Sequence, residues 1–154
     1  MQRIYIDTSV VGGYFEEEFK AYTIPFFESV RRGERIIIVS ELLEDELTNA
    51  PREVRLLLKT IPMEYRKRVL STPEAALLAD AYIAANVVGA TSRNDCLHIA
   101  IATLCKAHCL VSWNFKHIVN DVRIAGYNKI NYERGFNTMD ILTPKDLMNN
   151  ENNC

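Results

Sequence analysis

Arg3-Ile4-Tyr5-Ile6-Asp7-Thr8-Ser9 is the stretch from which the fold can be read. Arg3 to Ile6 is a short β-branched and aromatic run of the kind that forms a strand buried on both faces, and Asp7 closes it with a carboxylate. Two further runs have the same character, Ile36 to Val39 and Cys109 to Trp113. Strands covered on both sides belong to parallel sheets, whose connections are helices packed over the faces.

Helical patterns fill the intervals. Thr72-Pro73-Glu74 is a capping residue followed by proline at the first helical position, with Gly89 as the expected stop. Asn94 to Ala107 is apolar on nearly every side and reads as a central, buried helix. Ser40 to Ala50 and Arg52 to Ile61 read as two more helices, parted at Pro51. Strands alternating with helices predict a three-layer α/β/α domain around a central, mostly parallel sheet. It spans residues 1–148, and 149–154 form a polar C-terminal tail. No repeat, linker or second domain interrupts it.

Composition narrows the function classes without choosing one. At 154 residues the chain can bury roughly two thirds of its unfolded surface in a single core. With 48% hydrophobic and 25% charged residues, neither disorder nor a coiled coil fits. A net charge of −2 argues against a protein that coats DNA through phosphate contacts alone. Two basic clusters, Arg31/Arg32/Arg35 and Arg66/Lys67/Arg68, read as solvated helix surface. The N-terminus meets charge too early for a signal peptide. The longest uncharged run, Ala81 to Ser92, falls short of the roughly 18 residues that span a bilayer. A cytoplasmic protein is expected, with no membrane contact and with Cys96, Cys105, Cys109 and Cys154 reduced. Their interleaving with His98 and His108 falls largely in apolar sequence and reads as core, not as a zinc site.

Chemistry is sought outside the carboxyl ends of the strands, where open α/β sheets place their sites. Asp7 stands at one such end, although Asp-Thr-Ser is also good capping sequence. After the second strand come Glu41, Glu44, Asp45 and Glu46. With Ser40 as N-cap, Leu42, Leu43, Leu47 and Ala50 share one helix face, and Glu46 falls inside it while the other three acids point away. A carboxylate on a buried face is costly unless something compensates it, so Glu46 needs a partner or a role. Asp95 opens the apolar helix, where it could complete a capping box with Ser92 or face the same strand ends as Asp7. Three converging carboxylates repel one another unless a cation sits between them. Such hard oxygen ligands select Mg²⁺ or Mn²⁺, and metal-assisted hydrolysis of a phosphodiester is the chemistry they serve.

Ile4-Tyr5-Ile6-Asp7-Thr8-Ser9, Ser40 through Glu46-Leu47, Asn94-Asp95-Cys96-Leu97-His98-Ile99-Ala100 and Leu110-Val111-Ser112-Trp113-Asn114-Phe115 occur in the order found in PIN domains, and the chain resembles that family from the first strand to Pro144. Many members are VapC-like toxins of type II toxin–antitoxin pairs. The resemblance implies a Mg²⁺- or Mn²⁺-dependent endoribonuclease with Asp7, Glu46 and Asp95 as metal-binding acids. The family's fourth position, just after the strand that follows the Asp95 helix, is here Asn114, with Ser112 before it. Asn adds no charge, so three carboxylates are expected where four are usual. The resemblance also implies an RNA substrate, a cognate antitoxin and a homodimer. Thr8 and Ser9 are candidates to hold the first acid, His117 to approach the site, Lys116 to touch a phosphate and Trp113 to stack a base.

Two rival readings remain. A phosphotransfer enzyme with Asp7 as nucleophile would want a second Asp where Ser9 stands. A PIN-like fold without activity, serving as an RNA- or protein-binding module, is kept open by Asn114.

Overall fold

A computed structural model describes residues 1–152 of the chain. Five strands form one all-parallel sheet: β1 (Arg3–Ile6), β2 (Ile36–Ser40), β3 (Arg66–Val69), β4 (Cys109–Val111) and β5 (Asp140–Leu142), in the order β3-β2-β1-β4-β5. The helices are α1 (Thr8–Gly13), α2 (Lys20–Arg31), α3 (Glu41–Glu46), α4 (Arg52–Leu57), α5 (Pro73–Ala84), α6 (Arg93–Leu104), α7 (Asp121–Glu133) and α8 (Pro144–Asn152). Alternate residues of each strand face opposite layers. Ile4, Ile6, Ile37, Val39 and Val111 pack with Phe26, Phe27 and Leu43 on one side. Tyr5, Ile38 and Leu110 pack with Tyr82, Ile99 and Tyr127 on the other. The expected three-layer α/β architecture is present.

The helix starts follow the sequence closely because each has a chemical cause. Ser40 accepts from Leu43 N–H and Thr72 accepts from Ala75 N–H, so α3 and α5 begin where their caps stand. Thr143 and Asp146 exchange hydrogen bonds across the first turn of α8 in a capping box built around Pro144.

The stops differ from expectation. α5 ends at Ala84, well before Gly89, because Asn86 takes the left-handed conformation (φ 59°), with Val87 N–H bonding to Tyr82 C=O and Asn86 N–H to Ile83 C=O. Lys106 (φ 57°) closes α6 in the same way, ahead of Ala107. α3 stops at Glu46 rather than Ala50. α8 runs on to Asn152, so the expected tail from residue 149 begins inside a helix, and Cys154 lies outside the described residues.

Both basic clusters need correction. Arg66, Lys67 and Arg68 lie on the edge strand β3 and not on a helix, and charge along an edge discourages pairing with other strands. Arg35 is buried, with its guanidinium on Ser29 Oγ (2.6 Å) and over the Phe26 ring. Among the described residues, no helix is long and apolar enough to cross a membrane.

Candidate active site

The strand order reverses between β1 and β4, since the chain moves outward through β2 and β3 and then returns to the other side of β1. Crevices at the carboxyl ends of such a pair are where open α/β sheets bind ligands. Asp7 follows β1 and Ser112 follows β4, so the two meet there. Ser9 Oγ donates to Asp7 Oδ1 at 2.6 Å and Ser112 Oγ donates to Oδ2 at 2.7 Å. Each hydroxyl accepts in turn from a backbone amide, Ser9 from Trp113 N–H (2.8 Å) and Ser112 from Asn114 N–H (2.9 Å). Asp7 is thus clamped on both oxygens, and it makes no side-chain cap bond for α1. Only 4% of it is exposed, and burial raises its pKa above the ordinary aspartate value against the lowering effects of the His98 charge and the two serines.

Glu46, the last residue of α3, reaches the same end of the sheet. Its Oε1 accepts from Thr8 Oγ1 (2.9 Å) and meets His98 Nε2 at 2.5 Å. Burial works against its charge, but the His98 hydrogen bond, the His98 charge and the Thr8 hydroxyl hold its pKa below the usual glutamate value. The other ring nitrogen of His98 contacts Tyr5 Oη at 2.7 Å, and Tyr5 donates to Ser40 Oγ at 2.9 Å. A polar chain therefore runs from the α3 N-cap through β1 and α6 to Glu46. The outward acids go elsewhere: Glu44 pairs with Arg68, and Glu41 accepts from Ser71 N–H.

His98 was not among the residues singled out as catalytic, yet its side chain is 3% exposed and gripped at both nitrogens. Its signal was its spacing. Asp95 and His98 are three residues apart on α6 and so share a face. Glu16 and Glu53 were also missed. They line the cleft of about 470 Å³ that Thr8, Ser9 and Glu46 enter, and only the packing of α1 against α4 brings them there.

Asp95 does not complete a capping box, as Ser92 makes no side-chain cap bond. Its Oδ2 instead meets His117 Nδ1 at 3.0 Å, with both side chains 26% exposed. Asn114 stands beside this pair, and its Oδ1 accepts from His117 N–H at 3.0 Å, capping the turn that presents the imidazole. Ser112, two residues earlier, is the one that touches Asp7. Trp113 is a core residue and not a base-stacking surface: it is 7% exposed, stacked on Phe19 and bonded through Nε1–H to Thr23. Lys116 is exposed.

Thr8, which follows Asp7 in the chain, donates to Glu46, and His98 contacts Glu46 as well, while Asp95 stands with His117. Among the described residues, no three His, Cys, Asp or Glu side chains gather closely enough to enclose a metal ion. Mg²⁺, however, is ordinarily held by one or two carboxylates, several waters and substrate phosphates rather than by a protein cage. The donors fit that kind of ion. They are hard oxygens, the contacts of Glu46 and Asp95 fall on one oxygen of each, and a neighbouring cation would offset the desolvation of Asp7.

No protein-family model matches the chain, and comparison with curated protein sequences finds no match. Among solved structures, the chain is similar to Mycobacterium tuberculosis VapC20, described as a sarcin–ricin loop cleaving toxin, with a TM-score of 0.56 over 73% of this chain and 91% of that one. The chain has a PIN-like fold. Sequence identity to VapC20 is 11%, so the likeness is one of backbone arrangement.

Proposed function

We propose that this PIN-like chain is an endoribonuclease that hydrolyses RNA phosphodiester bonds with the help of Mg²⁺ or Mn²⁺. The carrying observation is the pairing of Asp7, clamped by two serines, with Glu46, oriented by His98 and Thr8, at the point where the strand order reverses. Asp7, Glu46 and Asp95 are the residues that would hold the ion. When bound, such an ion supplies Lewis acidity toward the phosphate and makes water a nucleophile near neutral pH.

The chain's own part is preorganisation. Ser9 and Ser112 fix both oxygens of Asp7, and their hydroxyls are fixed by the backbone of the β4 end. His98 and Thr8 both engage Glu46 through Oε1, and Glu46 lines the cleft. His117 holds Asp95 at the N-terminus of α6, where the helix dipole favours an anion. His117, partly exposed and oriented by a carboxylate, is placed to exchange a proton with water or a leaving oxygen.

The likeness to VapC20, described as a toxin, supports a toxin role, and the resemblance to VapC-like proteins adds an antitoxin partner and a homodimer to this reading. The second reading is a catalytically inactive RNA- or protein-binding module. The absence of a three-donor cluster among the described residues, and the use of Asn114 as a turn cap, favour that alternative. A Mn²⁺ titration with a fluorogenic RNA separates the two. Metal-dependent cleavage is expected in the wild type and is expected to be lost in both Asp7→Asn and Asp95→Asn. Cleavage retained in Asp95→Asn removes that residue from the site, and a wild type that binds no metal selects the binding-module reading.

A further inference from the structure

Beside the acidic cleft lies a cavity of opposite character. It measures about 270 Å³, has Val39, Leu47 and Leu58 as apolar lining, and sits between β3 and the α3–α4 layer. Arg55, Lys59, Arg66 and Arg68 surround it, while Lys67, which also lines it, aligns with Ile38 and so carries its side chain to the opposite face of the sheet. The register aligns Arg66 with Ile37 and Arg68 with Val39, so both arginines share the face on which those core residues lie. Arg55 Nε donates to Ala50 C=O and Arg66 Nε to Ile61 C=O, each at 2.9 Å. A neutral acceptor orients a guanidinium without cancelling its charge. Among the described residues of this lining, only Arg68 has an ion-pair partner, Glu44 at 2.7 Å. The cavity is therefore strongly positive in a chain whose net charge is −2.

The two cavities are neighbours. Leu47 lines both, and it follows Glu46 directly in the chain. A polyanion with one phosphate at the acidic cleft would carry its neighbouring phosphates across Leu47 to the cations. A locally positive surface beside a cleft that holds carboxylates is an arrangement suited to an extended phosphodiester strand, not to a compact anion.

We propose that the Arg55/Lys59/Arg66 cavity is an anchoring site for the phosphate backbone of single-stranded RNA, separate from the residues that act on the scissile bond. The choice of RNA as the polyanion rests on the ribonuclease reading above; the positive cavity does not.

The test is binding without turnover. Fluorescence anisotropy of a labelled single-stranded RNA is measured with the full chain in EDTA, across a range of salt concentrations, with gels confirming that the RNA stays intact. Lys59→Ala/Arg66→Ala removes one cation that makes no side-chain hydrogen bond among the described residues and one held by the Ile61 carbonyl, and Arg55→Ala/Lys59→Ala is the second variant. Thermal denaturation checks that both fold. Each double variant is expected to bind roughly tenfold more weakly, and its salt dependence is expected to be shallower by about 1.4 in the slope of log K against log salt. Wild-type affinity and slope in both folded variants would overturn the proposal. So would a polyglutamate peptide that competes for the cavity and outbinds RNA of equal charge, since the cavity would then be a protein-docking site. RNA binding through the cavity with no cleavage in Mn²⁺ would defeat the ribonuclease reading alone. Cleavage in Mn²⁺ with binding unchanged in the variants would defeat this proposal alone.

Discussion

Asp7 carries its charge where little water reaches, and that has a measurable sign. Its folded pKa is raised, so the protonated form is favoured by folding. The stability this group contributes is present below the unfolded value near 3.8 and is lost as pH rises through the folded pKa. At neutral pH without divalent ions, Asp7→Asn is expected to raise the melting temperature by a few degrees, because the amide removes the buried charge, still accepts from one serine and can donate to the other; in Mn²⁺ it is expected to abolish cleavage. Thermal melts in EDTA from neutral to acidic pH check this, and the gain should shrink as the wild-type carboxyl protonates. Glu46 has the opposite sign: its lowered pKa stabilises above the unfolded value and that stability is lost on acidification. His98 is the residue that orients it. His98→Ala is expected to reduce kcat about 10- to 100-fold, the usual cost of losing a group that positions a ligating side chain. His98→Gln should recover part of that loss, and weaker Mn²⁺ binding in calorimetry would distinguish positioning from mere packing.

Elements matter here by what they bring edge to edge. α1 presses on the β4 end through Gly13, where a Cβ would lie 2.7 Å from Trp113 Cδ1. Trp113 in turn passes its backbone N–H to Ser9, which holds Asp7. Ala at position 13 would gain up to about 1 kcal/mol in helix propensity. It would also have to displace the indole, at a cost of about 1–3 kcal/mol. Gly13→Ala is therefore expected to lower the urea midpoint, with a shift in emission from the only tryptophan in the chain and a fall in activity. A midpoint at or above wild type would show that the indole can move freely. α6 acts differently, carrying Asp95 and His98 on one face so that a single helix supplies a partner to the β4 side and to α3.

At the scale of the whole molecule, the candidate site lies where the order of the five parallel strands reverses, and its groups come from segments far apart in sequence. An ion that binds only the folded chain stabilises it by mass action, by about 2.7 kcal/mol at a hundredfold excess over Kd. Added Mn²⁺ is thus expected to raise the wild-type melting temperature and to leave Asp7→Asn unmoved. A rise of equal size in both would place the ion elsewhere.

The strands β1, β2 and β4 were legible because each is a continuous apolar run, and the caps of α3 and α5 because Ser40 and Thr72 satisfy amides locally. β3 was not, because an edge strand made of Arg-Lys-Arg has the composition of a solvated surface, and its partner Ile36–Ser40 is far away in sequence. Asp7 and Glu46 were named from position and helix geometry; in the fold, Thr8 beside Asp7 donates to Glu46, which His98 also contacts. Ser9 was a sequence candidate to hold Asp7 and does bond to it, whereas the roles of Ser112, His98 and Asn114 had to wait for the structure, since a hydroxyl, an imidazole or an amide takes its meaning from the group it reaches. Sequence alone determined the alternation of strand and helix, which depends on neighbours within a few residues. Only the tertiary structure decided that His98 serves Glu46 and His117 serves Asp95, because burial and hydrogen bonding across some 20 to 50 positions depend on how the layers close.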